Sequence, residues 1–362
     1  VRGVAIPRAG RRLAIGSVDK SCRVFNAFTK ELLRCWKHKH LVWAVDIAPW
    51  KETGYVVAAG DYAGDVIVRH VESNTELFHH KFLPSGGPPF VWTVKFSEDV
   101  SRFASGSWNK EVRVWKTRDW TQCCAPFHRP DRVFSLALSD DGRYVLVGDR
   151  MMLCALYDLG SNEVPALNFD AADTASSTKG SPLMSSSPQR SSSSQPKCMF
   201  EVEFINRVYC VALSPDGEYF ALAGVAKEVW LYRTKTHRMV HCFKVEGPIT
   251  NSISFSADGR ALAAGGEDKC VTIWDTKTFE RILFLPRKKD VCSVAFSKDS
   301  LVLAVGTKAV IYGGRGKAEW TWRDRPDFEI VTDVMGNPEA MKAMNASELK
   351  QQIEATKQKE RR

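Results

Sequence analysis

The sequence predicts an all-β chain of seven similar units, each of four short antiparallel strands, set radially about a common axis. Three observations predict it. A quartet holding a large ring between aliphatics recurs, as "VWAV" at 42–45, "VWTV" at 91–94, "VFSL" at 133–136 and "VYCV" at 208–211. The last aliphatic of each such opening (Val4, Val45, Val94, Leu136, Val211, Ile253, Val294) returns about every 41 to 49 residues, with one interval of about 75. Each unit then repeats the same grammar of turns and strand endings. Four short strands cannot bury their own faces, so units of this kind must cover one another.

Each element follows from local chemistry. The quartet opens the first strand. It ends at a turn such as "SDDGRY" (139–144), "SPDGEY" (214–219) or "SADGRA" (256–261), where Asp-Gly supplies the positive φ that a tight hairpin needs. A second strand closes on Gly, as in "LAIG" (13–16), "VAAG" (57–60), "FASG" (103–106), "VLVG" (145–148) and "LAAG" (262–265). A third ends on an aromatic or its neighbour, as in "CRVFN", "VRVWK", "CALYD", "VWLYR", "VTIWD" and, in the last unit, "AVIY". A polar fourth strand leads onward.

This grammar resembles the WD-repeat family, the seven-bladed β-propellers, over residues 1–323. The full signature "GGEDKCVTIWD" stands at 265–275, and "GSVDKSCRVFN" (16–26) and "GSWNKEVRVWK" (106–116) are close variants. Ala63 and Met151 replace the turn Asp in the second and fourth units, and His38 stands near the place of the family's Gly-His. The hydrogen-bonded network that ties such blades together is therefore expected to be mostly incomplete. The strands count as seven full sets from Val1. The ring then closes by packing of the last blade on the first, or by a strand upstream of residue 1.

Two segments depart from the repeat. The stretch at about 168–198 is rich in Ser, Pro and Gly and cannot offset the cost of ordering, which predicts a flexible insertion between the fourth and fifth blades. Ser181 and Ser187 each precede Pro and resemble sites for proline-directed kinases; the alternative is a tolerated surface insertion. Residues 324–362 read as an extended segment and a C-terminal helix. Asn337 would be its N-cap and Pro338 its first residue, with Met341, Met344, Leu349 and Ile353 near one face.

Composition narrows the functions. The 362 residues carry a net charge of +9 without a basic run, so a solvated surface is favoured over a nucleic-acid stripe. The apolar runs are too short for a membrane span. The ten cysteines fall mostly in strands and show no paired zinc spacing, which predicts reduced thiols and a cytoplasmic protein, with nucleus or cilium as alternatives. No phosphate loop or G-x-S-x-G motif occurs. The pairs at 37–40 and 79–80 lack a third metal ligand and read as solvated or capping histidines. Neither an enzyme, a cofactor, a metal site nor a small-molecule substrate is expected.

The resemblance places the quartet's ring at the start of the innermost strand, on the rim that WD-repeat proteins commonly use for partners. Aligned rim positions put Trp43, Tyr62, Phe90, Trp92, Trp108, Phe134 and Tyr209 on blades two to five, with Arg132, Arg150 and Arg207 at one end of that arc. Trp, Tyr and Arg dominate binding hot spots because they join large area to a polar handle. A protein or peptide partner within a larger complex is expected; the alternative is RNA, stacked on the rings and held by the arginines.

Overall fold

The computed structural model describes residues 2–7, 12–27, 29–51, 53–84, 87–160, 195–296, 302–307 and 328–332. Blade one is β1 (Gly3–Ala5), β2 (Arg12–Gly16), β3 (Ser21–Asn26) and β4 (Leu32–Lys37). Blade two is β5 (Val42–Trp50), β6 (Gly54–Asp61), β7 (Asp65–His70) and β8 (Glu76–Lys81). Blade three holds β9 (Val91–Phe96), β10 (Arg102–Ser107), β11 (Glu111–Lys116) and the two-residue β12 (Phe127–His128). Blade four holds β13 (Val133–Leu138), β14 (Tyr144–Asp149), β15 (Leu153–Asp158) and β16 (Lys197–Glu203). Blade five is β17 (Val208–Leu213), β18 (Tyr219–Gly224), β19 (Glu228–Arg233) and β20 (Arg238–Lys244), and blade six is β21 (Thr250–Phe255), β22 (Ala261–Gly266), β23 (Cys270–Asp275) and β24 (Arg281–Pro286). All six are antiparallel meanders in chain order.

The expectation of seven complete four-stranded blades is thereby corrected to six. The remaining sheet, β25 (Val291–Phe296), β26 (Val302–Thr307) and β27 (Phe328–Thr332), has three strands among the described residues. Its third strand is not the adjacent "AVIY", which lies outside the described residues. It comes from further along the chain, with Val302 opposite Thr332 and Gly306 opposite Phe328. Local pattern cannot show which distant segment will pair. The segment read as extended after residue 323 thus contributes a strand to the propeller. Residues 333–362, where the C-terminal helix was expected, lie outside the described residues, and no such helix stands among the described elements.

The innermost strands β1, β5, β9, β13, β17, β21 and β25 pack in sequence, and β25 returns onto β1. The third residue of each quartet helps to bind this ring. Thr93, Ser135, Ser252 and Ser293 accept the backbone N–H groups of Leu136, Val211, Val294 and Val4 in the next blade, at 3.0–3.3 Å. The closure between first and last sheets is the Ser293–Val4 pair, packed beside buried Val4, Ile6 and Leu13 with Ala295 against them. Among the described residues the last sheet packs directly on the first.

In four blades the glycine near the end of the second strand meets the next blade. A Cβ at Gly60, Gly106, Gly148 or Gly265 would stand 2.3–2.6 Å from a γ-methyl of Val91, Val133, Val208 or Val291, the first residue of the following quartet. The Asp-Gly hairpins form as expected, with Gly142, Gly217 and Gly259 at φ of 69°, 66° and 70°. In each, a Ser hydroxyl donates to the turn Asp (Ser139 to Asp141 at 2.6 Å, Ser214 to Asp216 at 2.5 Å, Ser256 to Asp258 at 2.5 Å).

The insertion leaves from a different place than expected. Residues 161–194, with Ser181 and Ser187, lie outside the described residues, but they join β15 to β16 within blade four, not blade four to blade five. That places both of their attachments at the Asp141–Gly142 turn end of the blade, the end away from the quartet rings.

Candidate partner-binding face

Each quartet ring sits on a β-bulge. Val91 pairs with Ser107 and Thr93 with Gly106, so Trp92 is the extra residue of its strand. The same shift falls at Trp43, Phe134, Tyr209, Asn251 and Cys292. A bulge lets two residues oppose one, breaks the alternation and re-aims a side chain. That is why Val91 and Val94, three apart, are both buried while Trp92 between them turns to the rim. The spacing of three was the signal in the sequence: strict alternation would have put those two valines on opposite faces.

The other two rim positions are also held together. Tyr62, Trp108, Arg150 and Glu267 each donate a backbone N–H to Leu41, Phe90, Arg132 and Ile249 at 2.9–3.1 Å. The same bond runs from Val225 to Arg207, which adds Val225 as the blade-five member that the sequence alignment did not supply. With turns and bulges fixed this way, the seven predicted rings meet. Trp43 lies 4.2 Å from Trp92, Trp92 stacks on Trp108 at 4.8 Å, and Tyr62 stacks on Phe90 at 4.0 Å, measured between centroids. Phe90 reaches Trp108 at 5.2 Å, Phe134 reaches Trp92 at 5.4 Å, and Tyr209 ends the row edge-on to Phe134 at 5.1 Å.

Exposure differs along the row. Trp43, Tyr62, Phe90, Trp92, Trp108 and Tyr209 are half-buried, so Trp92 is not the freely exposed ring that the rim reading implied. Phe134, at 7% exposure, is buried among its neighbours and acts as their floor. The rings cover one another. Arg132 stacks its guanidinium 4.5 Å above Trp108, and Arg150 stands 3.8 Å from Asp131. Arg207 is exposed. The Trp108 indole N–H is buried without a hydrogen-bond partner. At the other end Arg2 lies 4.3 Å over Trp43. A cavity of about 210 Å³ opens beside the row, with Arg2, Trp43, Trp92, Tyr209, Glu267 and Asp290 on its walls.

Beneath this face the turn hydrogen bonds are supplied by substitute residues, while both ring nitrogens of His38 and the Ser105 hydroxyl are buried without a hydrogen-bond partner among the described residues. In the regular turns Asp19, Asn109 and Asp268 each accept a backbone N–H two residues on. Blades two and four lack that residue, and an Asp two positions earlier replaces it. Asp61 accepts from Ala63 and Asp65, and Asp149 from Met151 and Leu153, at 2.8–3.2 Å. Each of these carboxylates faces a basic side chain from the connection that enters its blade. His38 lies 3.5 Å from Asp61, both buried, so it is not a solvated histidine. Arg129 donates to Asp149 at 3.0 Å, to the Tyr157 hydroxyl at 2.7 Å and to Glu201 at 2.8 Å. Burial pushes the Asp149 carboxyl above the usual range, against the pull of the Arg129 guanidinium. His79 is half-exposed and lies 2.9 Å from Asp65. No group of three or more His, Cys, Asp or Glu side chains that could hold a metal occurs among the described residues.

Comparison with known proteins agrees with this architecture. The WD domain, G-beta repeat, matches residues 76–116, and the anaphase-promoting complex subunit 4 WD40 domain matches residues 211–299. Two separate stretches of the chain thus match WD-repeat models. The mitotic checkpoint protein BUB3.1 of Arabidopsis thaliana is 25% identical over 327 residues, 85% of this chain and 83% of its own. The guanine nucleotide-binding protein subunit beta of Zea mays is 23% identical over 76% of this chain and 69% of its own. The U3 small nucleolar RNA-associated protein 18 homolog of Arabidopsis thaliana is 26% identical over 36% of this chain and 24% of its own length.

Proposed function

We propose that this WD-repeat propeller is a non-catalytic interaction scaffold that binds a peptide or protein partner, within a larger complex, across the aromatic and arginine arc of blades two to five. The observation that carries the proposal is the continuous contact of seven rings along one rim, four of which (Trp43, Trp92, Phe134 and Tyr209) sit on the repeated bulge. Half-buried aromatic rings that already touch one another lose little conformational freedom on binding, so most of their contact area is available as affinity. Two relatives that span most of the chain are named as a checkpoint protein and as one subunit of a guanine nucleotide-binding protein, which favours protein partners. The free thiols of the described cysteines fit a cytoplasmic setting, with nucleus or cilium as the alternatives.

Affinity capture followed by mass spectrometry tests this reading, comparing the wild type with Trp92→Ala and with Arg207→Glu. Trp92→Ala removes a central ring, and Arg207→Glu reverses an exposed charge without touching the core. Both variants are expected to keep a folded circular-dichroism spectrum and to lose the wild-type partners at least tenfold. Folded variants that retain every partner would sink the proposal. A second reading, an RNA-associated propeller, draws on the partial match to a small nucleolar RNA-associated protein. It requires RNA binding at low salt that weakens steeply as salt rises; absence of binding at low salt ends it.

A further inference from the structure

The outer strand of blade three breaks at two adjacent cysteines. Gln122 stands opposite Trp115 and Phe127 opposite Val112, so five steps of the outer chain cover three steps of β11. The excess is taken up in a bend at Cys123 and Cys124, where the Cys123 N–H donates to the Val114 carbonyl at 2.8 Å. In an unbroken strand neighbouring side chains point to opposite faces, which keeps adjacent thiols apart. At this bend both cysteines pack on one core cluster with Val112, Val114 and Phe127, Cys124 buried and Cys123 half-buried at its edge. The two thiols are in hydrogen-bond contact. The bond from Cys124, helped by the nearby Arg102 guanidinium and Lys116 ammonium and opposed by burial, holds the Cys123 thiol well below the usual thiol range. The same bond, together with burial, pushes the Cys124 thiol up. Arg102 is itself buried and fixed, donating to the Gly142 carbonyl at 3.0 Å and to the Gly160 carbonyl at 2.7 Å. A thiolate open to solvent thus stands against a protonated thiol.

We propose that Cys123 and Cys124 form a peroxide-sensitive dithiol, with Cys123 the attacking sulfur and Cys124 the resolving one. The Cys123 thiolate attacks one oxygen of hydrogen peroxide; the O–O bond breaks, and the departing hydroxide takes a proton and leaves as water. Cys123 is then a sulfenic acid. The Cys124 sulfur attacks it, the S–O bond breaks, and the Cys124 proton leaves with the hydroxide as a second water. The two sulfurs together give up the two electrons that reduce the peroxide. The product is a disulfide between neighbours in the chain. Their Cα atoms are about 3.8 Å apart across one peptide bond, short of the roughly 4.4–6.8 Å that disulfides usually span. The ring is therefore strained, and a dithiol reductant reopens it. The site lies where Arg102 reaches the Asp141–Gly142 hairpin, at the end of the propeller away from the quartet rings, so it stands independently of the docking face.

The test treats the reduced full chain with stoichiometric hydrogen peroxide and reads free thiols, intact mass and a peptide map. Two of the ten thiols are expected to disappear, with the chain lighter by two hydrogens and the loss confined to the peptide that holds Cys123 and Cys124. A dithiol reductant is expected to restore them. Cys35 and Cys198 are more exposed, so they would be oxidised first if exposure alone decided reactivity; their thiols are expected to persist. Cys124→Ser is expected to stop at the sulfenic acid, which dimedone traps on Cys123. Cys123→Ser is expected to slow peroxide consumption at least tenfold. Ten thiols remaining after treatment, a bond mapped to another pair or between two chains, or dimedone adducts at Cys35 or Cys198 in place of Cys123 would each overturn the proposal. Should either variant fail to fold, the map of the wild-type chain decides by itself.

Discussion

Arg129 shows how a single residue can stand in for a missing motif. Its side chain is almost fully buried, and it stands against Asp149 as His38 stands against Asp61 two blades earlier. Buried ion pairs contribute little by themselves, because both charges leave water, but removing one partner strands the other. Arg129→Met is therefore expected to cost about 3–5 kcal/mol in urea unfolding, because the Asp149 carboxylate stays buried with two backbone donors and no counter-charge. Adding Asp149→Asn should recover part of that loss, since an amide oxygen can still accept from Met151 and Leu153. A single variant as stable as the wild type would mean that Asp149 is neutralised by other means. None of this was legible in the sequence. The turn Asp was seen to be missing at Met151, but that Asp149 would take over from two positions earlier depends on where Arg129 arrives in space.

At the scale of the element, the quartet strand was half legible. Its aliphatics were read as core, as they are, and its ring as exposed rim, whereas Trp92 is half-buried and Phe134 buried. The bulge that reconciles them was written in the spacing of Val91 and Val94, yet nothing in the sequence says how far each ring turns. Phe134 and Trp92 occupy the same place in their strands, but the first is buried and the second half-exposed, because burial is decided by which other rings surround each one. The strand-ending glycine is a sharper case. The sequence marks it as a strand end; the structure shows that it makes room for the next blade's valine. Gly106→Ala would drive a methyl to about the 2.5 Å separation from Val133 that its built Cβ shows. Since a branched side chain on a strand cannot swing away, the expected cost is about 1–3 kcal/mol, read as a lowered urea midpoint at unchanged slope. An unchanged midpoint would show that the blades can separate freely at that contact.

At the scale of the whole molecule, the ring depends on the weakest sheet. The last sheet has three strands among the described residues, and its outermost, β27, arrives from well downstream of β26. A chain ended before Phe328 should leave β26 as an unpaired edge and lower the calorimetric midpoint by about 5 °C or more, with a broader transition. An identical melting curve would show that β27 does not hold the closure. By itself the sequence determined the all-β class, the period of the units and the Asp-Gly hairpins, because each follows from local spacing and turn chemistry. Tertiary structure alone decided that six blades are complete, that β27 finishes the last sheet and that the insertion lies within blade four. It also decided that Arg129 meets Asp149 where His38 meets Asp61 in blade two. Those outcomes depend on which distant segments meet, and a pattern of neighbours along the chain carries no record of that.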